Sequence, residues 1–339
     1  MLDHIMAFLP VSILSGLILY FLIKEYIKHS QGLGLISEKH IFSLREDQVP
    51  TSAGLLISSV FIISSSLFDV LDFDQLLLFS VIPMIMSIIG FVDDKYNLSS
   101  KIKFFLQSLI VIFILLLTQS YDFVLINIYL NEYLAMTLIF IASLWIINTF
   151  NFIDGADGLL STNVILLSIS TSLLLFLGDN HSLSGILILL ATLMMCFVLF
   201  NWFPAKIFMG DSGSLFLGTF FVCLSIYSIV NFHITVFTWM VLLSLFYIET
   251  TVTMIMRLYN NKKIFSTRHN FHAYQQITID KDDHALPAKI SIFLQVFWVI
   301  PASLISFFFF EDSYLFTLLA VSPLLFLFYW FGPRNALLK

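Results

Sequence analysis

Charge is what this sequence has least of. Only 11% of its 339 residues are Asp, Glu, Lys or Arg and 59% are hydrophobic, whereas an ordinary soluble domain carries roughly 25% charged residues. That shortage excludes a water-soluble globular domain, because too few charged groups remain to cover its surface. Cysteine is almost missing: Cys196 and Cys223 are the two, each inside an apolar run. Two cysteines make no disulfide framework, and the pair reads as packed free thiols in preference to a disulfide or metal site. The opening stretch "MLDHIMAFLPVSILSGLILYFLI" has no basic leading region and no small-residue cleavage site. It is therefore expected to be a retained span, not a signal peptide. With 16 basic residues against 22 acidic ones, nothing calls for a nucleic-acid partner.

What the sequence has instead is long apolar windows of the length that crosses a bilayer. They fall at residues 5–23, 52–68, 75–92, 104–118, 134–150, 159–177, 184–200, 214–230, 235–256, 290–310 and 313–331. The chain is expected to be an all-α polytopic membrane protein of about 11 transmembrane helices. It reads as one integral-membrane domain over residues 1–339, with its motifs between about 50 and 275. The segment "SYDFVLINIYLNEY" after the fourth window reads as an interfacial excursion. All 16 Lys and Arg residues lie after odd-numbered spans, while the opposite loops hold Asp69, Asp72, Asp74, Asp179, Glu311 and Asp312. By the positive-inside rule the amino terminus is outside and the carboxy terminus is cytoplasmic.

Four polar islands fall on that same cytoplasmic side. After the third span, "DDKYNLSSKIK" carries Asp93, Asp94 and Lys103. The two acids suit a hard divalent cation or a general base, or they simply cap a span; the lysine suits a phosphate, or it snorkels. After the fifth, "NTFNFIDGADGL" repeats a polar group every third residue: Asn148, Asn151, Asp154 and Asp157. A span ending in a tight polar turn gathers such residues to one side. One Asp and one Gly would suffice for a plain helix end. After the seventh, "FMGDSGSLFLG" sets Asp211 at the start of an apolar span. Amides there favour an anion, so the aspartate fits a Mg²⁺ lying between it and a phosphate, or else caps the helix. After the ninth, "RHNFHAYQ" holds Arg268, His269 and His272, which alone reads as a basic loop near lipid headgroups. Glu249, inside the ninth span, either shapes the site or packs helices.

Together these motifs resemble the polyprenyl-phosphate N-acetylhexosamine-1-phosphate transferases, the MraY/WecA superfamily, over residues from about 50 to 275. The first three islands match its DD-x3-L-x4-K, N-x2-N-x2-DG-x-DGL and F-x-GD-x-GS-x3-G elements, in order. The resemblance implies transfer of a sugar-1-phosphate from a UDP-sugar onto undecaprenyl phosphate at the cytoplasmic face of a bacterial inner membrane. It implies that Asp93 and Asp94 activate the lipid phosphate and share in metal binding, with Asp154 also catalytic. Asp211 would ligate Mg²⁺, with Mn²⁺ as an alternative. Asn148, Asn151 and Asp157 would organise the nucleotide sugar, Lys103 would hold phosphate, and Arg268, His269 and His272 would bind substrate.

The final histidine group departs from the MraY and WecA patterns and looks like the WecA/WbpL-like branch that initiates O-antigen, one of the cell-envelope polysaccharides. The sugars this implies are 6-deoxy N-acetylamino sugars such as N-acetylfucosamine or N-acetylquinovosamine, or N-acetylglucosamine. "VPTSAGLL" matches the family's PT-x-GG element loosely, with Ala53 where Gly is usual. Membrane lipids are expected partners, and the sequence leaves room for a homodimer. The alternative reading is a polytopic transporter, although transporters set their ionisable groups near the bilayer midplane. A CDP-alcohol phosphotransferase would need an arginine after its first Asp-Gly, and residues 154–164 contain none.

Overall fold

The computed structural model describes residues 2–33, 49–67, 71–118, 132–231, 233–259, 271–309, 313–332 and 334. In chain order the helices are α1 (Leu2–Leu33), α2 (Gly54–Ser66), α3 (Phe73–Tyr96), α4 (Ser100–Leu117), α5 (Glu132–Ile153), α6 (Leu159–Leu177) and α7 (His181–Asn201). There follow α8 (Gly210–Val230), α9 (Val236–Leu242), α10 (Ser244–Tyr259), α11 (Ala273–Lys281), α12 (Leu286–Phe308) and α13 (Ser313–Phe331). Among the described residues nine helices are long and apolar enough to cross a membrane, and α9 with α10 makes a tenth when taken as one bent span. The chain is a polytopic all-α membrane protein. In hydrocarbon only a helix satisfies its own backbone, and these segments have the length to do so.

Two expected spans take a different form. The second window begins at residue 52, but α2 starts at Gly54 and has 13 residues, too few to cross hydrocarbon. Residues ahead of it pair with the segment before α8: Phe208 N–H donates to Pro50 O at 2.8 Å and Gly54 N–H to Met209 O at 3.0 Å. The ninth window is not one rod, because α9 and α10 meet at 75°. No Pro or Gly stands at that break, so the two usual local signals for a bend are missing. The segment read as an interfacial excursion lies for the most part outside the described residues.

The bundle is built around α8, with 83% of its apolar window buried against 17% for α13. Serine pairs tie neighbouring helices within the apolar interior: Ser15–Ser64, Ser58–Ser87 and Ser65–Ser80 at 2.6–2.7 Å. Small hydroxyl residues allow close approach and satisfy one another where no water competes. Two helices lie against α8 with no room for a side chain: a Cβ on Gly54 of α2 would run into the Gly213 backbone, and one on Gly90 of α3 into the backbone carbonyl of Asp211. Gly90→Val is therefore expected to pry α3 and α8 apart at a cost of about 1–3 kcal/mol. Melting in detergent would register this as a loss of several degrees; an unchanged Tm would show that α3 and α8 are not in close contact.

This packing separates two polar ends. Asp72, Asp179, His181 and His233, from loops read as lying on one side, line a shared cavity at one end. The aspartate motifs meet at the other.

Candidate active site

The start of α8 is the hub. Its first turn has amide N–H groups with no intrahelical partner and the positive end of the helix dipole. Gly210 has φ +75°, and a Cβ there would sit 2.5 Å from an Asp94 oxygen. Glycine is thus required both for the backbone turn and for the space. The freed amides go to carboxylates from two other helix ends. Asp211 N–H donates to Asp94 Oδ1 at 2.9 Å and Ser212 N–H to Asp94 Oδ2 at 3.3 Å. The Gly210 amide also faces Asp154 and favours its charged form. The amides expected to favour a substrate anion are thus occupied by the protein's own acids.

Ser52 completes the hold on Asp94, its hydroxyl donating to Oδ2 at 2.8 Å. Ser52 has φ +68°, an uncommon conformation for a non-glycine residue. The pairing with Phe208 and Met209 and a bond from the Tyr26 hydroxyl to Thr51 O at 2.7 Å hold the segment there. The loosely matching "VPTSAGLL" thus belongs to the site, a role sequence reasoning missed. Its one visible signal was the run of small polar residues before an apolar helix.

Asp93 faces the other way. Lys103, one turn into α4, donates to Asp93 Oδ2 at 2.6 Å, and Leu98 N–H donates to Oδ1 at 2.8 Å. The same ammonium lies 3.7 Å from Asp211 Oδ2, and the Asp93 and Asp211 carboxyl groups are within hydrogen-bond reach of each other. Asn151 Nδ2 donates to Asp211 Oδ1 at 2.7 Å and to Ser214 Oγ at 3.1 Å. The centre thus gathers Asp93, Asp94, Asp154, Asp211, Lys103 and Asn151. Its acids outnumber the one ammonium. Loss of water, and then the charges of Asp211 and Asp94, push the Asp154 carboxyl well above the usual range; the Gly210 amide opposes them.

The three-residue repeat splits instead of staying in register. Asn151 and Asp154 join the centre. Asn148 donates to Gln107 Oε1 of α4 at 2.9 Å and to Leu144 O at 2.7 Å, so it joins two spans. Asp157 Oδ2 accepts Ala205 N–H at 3.0 Å and so holds the loop ahead of α8. His272 sits against Glu249, and its ring lies 6.3 Å from that of Phe152. Arg268 and His269 lie outside the described residues.

The donor set suits one class of cofactor. Carboxylate oxygens in excess of positive charge are hard ligands, which fit Mg²⁺ and not a thiophilic metal. Among the described residues no three of these groups already surround one point, and Lys103 stands between Asp93 and Asp211. Asp211, Asp93 and Asp154 are the groups a cation would draw on, with Asp93 exchanging Lys103 on Oδ2 or the Leu98 amide on Oδ1 for the ion. Both Asp94 oxygens are engaged by three donors.

Residues 76–229, which carry all of this centre except Ser52, match the family model for glycosyl transferase family 4. The chain is 29% identical to a probable undecaprenyl-phosphate N-acetylglucosaminyl 1-phosphate transferase of Bacillus subtilis, over 78% of this chain and 76% of that protein. It is 32% identical to a phospho-N-acetylmuramoyl-pentapeptide-transferase of a Wolbachia from Brugia malayi, over 61% of this chain and 69% of the relative. A Prochlorococcus marinus protein of the latter name is 31% identical, with the match spanning about half of each chain. The aspartate motifs, the all-helical membrane fold and these likenesses agree: the chain belongs to glycosyl transferase family 4, within the polyprenyl-phosphate N-acetylhexosamine-1-phosphate transferase superfamily.

Proposed function

We propose that this protein transfers a sugar-1-phosphate from a UDP-linked N-acetylamino sugar to undecaprenyl phosphate, releasing UMP, at the cytoplasmic end of its helical bundle. The observation that carries the reading is the convergence of Asp93, Asp154 and Asp211, from three separate segments, beside Lys103 at one end of the spans. An end-of-bundle site suits a lipid whose phosphate lies at the membrane surface and a nucleotide sugar arriving from water. It suits a transporter poorly, since its acids are not at mid-span. The basic loops favour the cytoplasmic side for that end.

In this reading Asp93 takes any remaining proton from the lipid phosphate, whose second pKa lies near ~6 for a phosphate monoester. The freed oxygen attacks the β-phosphorus of the UDP-sugar. The bond from that phosphorus to the bridging oxygen breaks, and UMP leaves with the electron pair. Lys103 steadies phosphate oxygens from between Asp93 and Asp211. Asn151 fixes the rotamer of Asp211. Asp94 keeps the start of α8 in register, so that Asp211 faces the others. Mg²⁺, when bound by Asp211, Asp93 and Asp154, would supply positive charge for the phosphoryl oxygens of the transition state.

The sugar is taken to be an N-acetylamino sugar, with the 6-deoxy kinds and N-acetylglucosamine as candidates, and the product to initiate O-antigen or another surface polysaccharide. The test is purified protein with undecaprenyl phosphate, Mg²⁺ and a panel of UDP-N-acetylamino sugars, scored for UMP. One sugar in the panel is expected to give lipid-dependent UMP release. Silence across a broad panel would overturn the reading.

A further inference from the structure

Glu249 of α10 is buried, 4% exposed. A buried carboxylate is costly unless donors surround it, and here they come from the start of α11. Ala273 N–H donates to Oε1 at 2.8 Å, and the His272 Nδ1 atom lies 2.8 and 3.1 Å from the two oxygens. A carboxylate at a helix N-terminus also meets the favourable end of the helix dipole. The next residue, Tyr274, is buried and sends its hydroxyl to Phe152 O at 3.0 Å. That carbonyl belongs to the last turn of α5, where carbonyls have no intrahelical partner. Asp154 stands two residues on.

Gly155 rests on the same hydroxyl: a Cβ there would run into the phenol oxygen. The Tyr274 side chain thus fills the space a side chain at residue 155 would need. Contacts run unbroken from Glu249 through the start of α11 and Tyr274 to Phe152 and Gly155, on either side of Asp154.

We infer that Glu249 and Tyr274 are positioning residues for the transferase centre: Glu249 seats the start of α11, and the Tyr274 hydroxyl holds the 152–155 turn so that Asp154 stays against Gly210. The inference rests on the transferase reading for what the positioning serves. Burial first, and then the charges of Glu249 and Asp154, push the Tyr274 phenol far up, so that it remains a donor at any working pH.

The test combines a split of kcat from KM with a double-variant cycle. Tyr274→Phe keeps the ring and removes one bond. It is expected to lower kcat about tenfold or more, since small misplacements of catalytic groups cost that much. KM for the UDP-sugar should stay within about threefold, and Tm within about 4 °C, as for one lost hydrogen bond. Glu249→Gln, which keeps an oxygen for the Ala273 amide, should stay within about threefold of parent kcat, whereas Glu249→Leu should fall as far as Tyr274→Phe. Gly155→Ala should lower both kcat and Tm. Adding Tyr274→Phe to it should restore part of the lost Tm, because the clashing oxygen is gone. Parent kcat in Tyr274→Phe would overturn the inference, as would Gly155→Ala and Tyr274→Phe losses in Tm that simply add. The Tm cycle needs no substrate: a parent that releases no UMP sinks the transferase reading, while the cycle still decides whether Tyr274 holds the turn.

Discussion

Asp211→Asn is expected to lower kcat by about a thousandfold, the scale on which a group stabilising transition-state charge acts, with Tm in detergent changed by less than about 2 °C. The side chain keeps its size and can still meet Asn151, which now reaches Oδ1 at 2.7 Å. What disappears is the negative charge facing Lys103 at 3.7 Å and the carboxylate available to a cation. Nothing in the helix start depends on that charge, because the bond that seats the first turn of α8 leaves from the Asp211 amide and not from its carboxylate. Turnover within tenfold of the parent would show that Asp211 is not at the reacting phosphates.

Asp94→Ala is expected to act first on stability. It strips an acceptor from three donors at once: the Ser52 hydroxyl and the Asp211 and Ser212 amides. Hydrogen bonds to a charged group contribute about 1.5–3 kcal/mol each, and orphaned donors add desolvation cost. Because the three share one carboxylate and water reaches part of the site, about 3 kcal/mol in total is expected. Relief of repulsion from the neighbouring acids works in the opposite direction. That repulsion is already offset in part by Lys103, so the lost bonds dominate. Thermal melts of Asp94→Ala should fall by several degrees, with Asp94→Asn between it and the parent because one acceptor oxygen survives. A parent-like Tm for Asp94→Ala would show that the α8 start is held by something else.

The contrast between these two aspartates shows what the sequence could and could not reveal. The helical spans are legible because hydrocarbon tolerates no other form for long apolar windows, and the Asp93–Lys103 link is local: one helix ends, the next begins, and ten residues separate the partners. Asp94 is different. Its partners lie 42, 117 and 118 residues away, so no spacing rule could distinguish it from its neighbour Asp93. The three-residue rhythm from Asn148 to Asp157 suggested one shared face. The turn at Gly158, with φ +69°, comes directly after Asp157, which faces Ala205 and not the aspartate centre. Likewise the 75° bend between α9 and α10 has no Pro or Gly to announce it. Yet it is α10 that carries Glu249, the carboxylate holding the start of α11.

The central claim is that the bond broken lies between the two phosphates of the UDP-sugar, not between sugar and phosphate. It is tested most directly by following the β-phosphorus. Purified protein would be given undecaprenyl phosphate, Mg²⁺ and a turned-over UDP-sugar labelled with ³²P at the β-position, and the products separated. All transferred label should appear in the lipid fraction together with the sugar, and the released nucleotide should be unlabelled UMP. Label leaving as UDP, with an unlabelled glycolipid, would contradict the account.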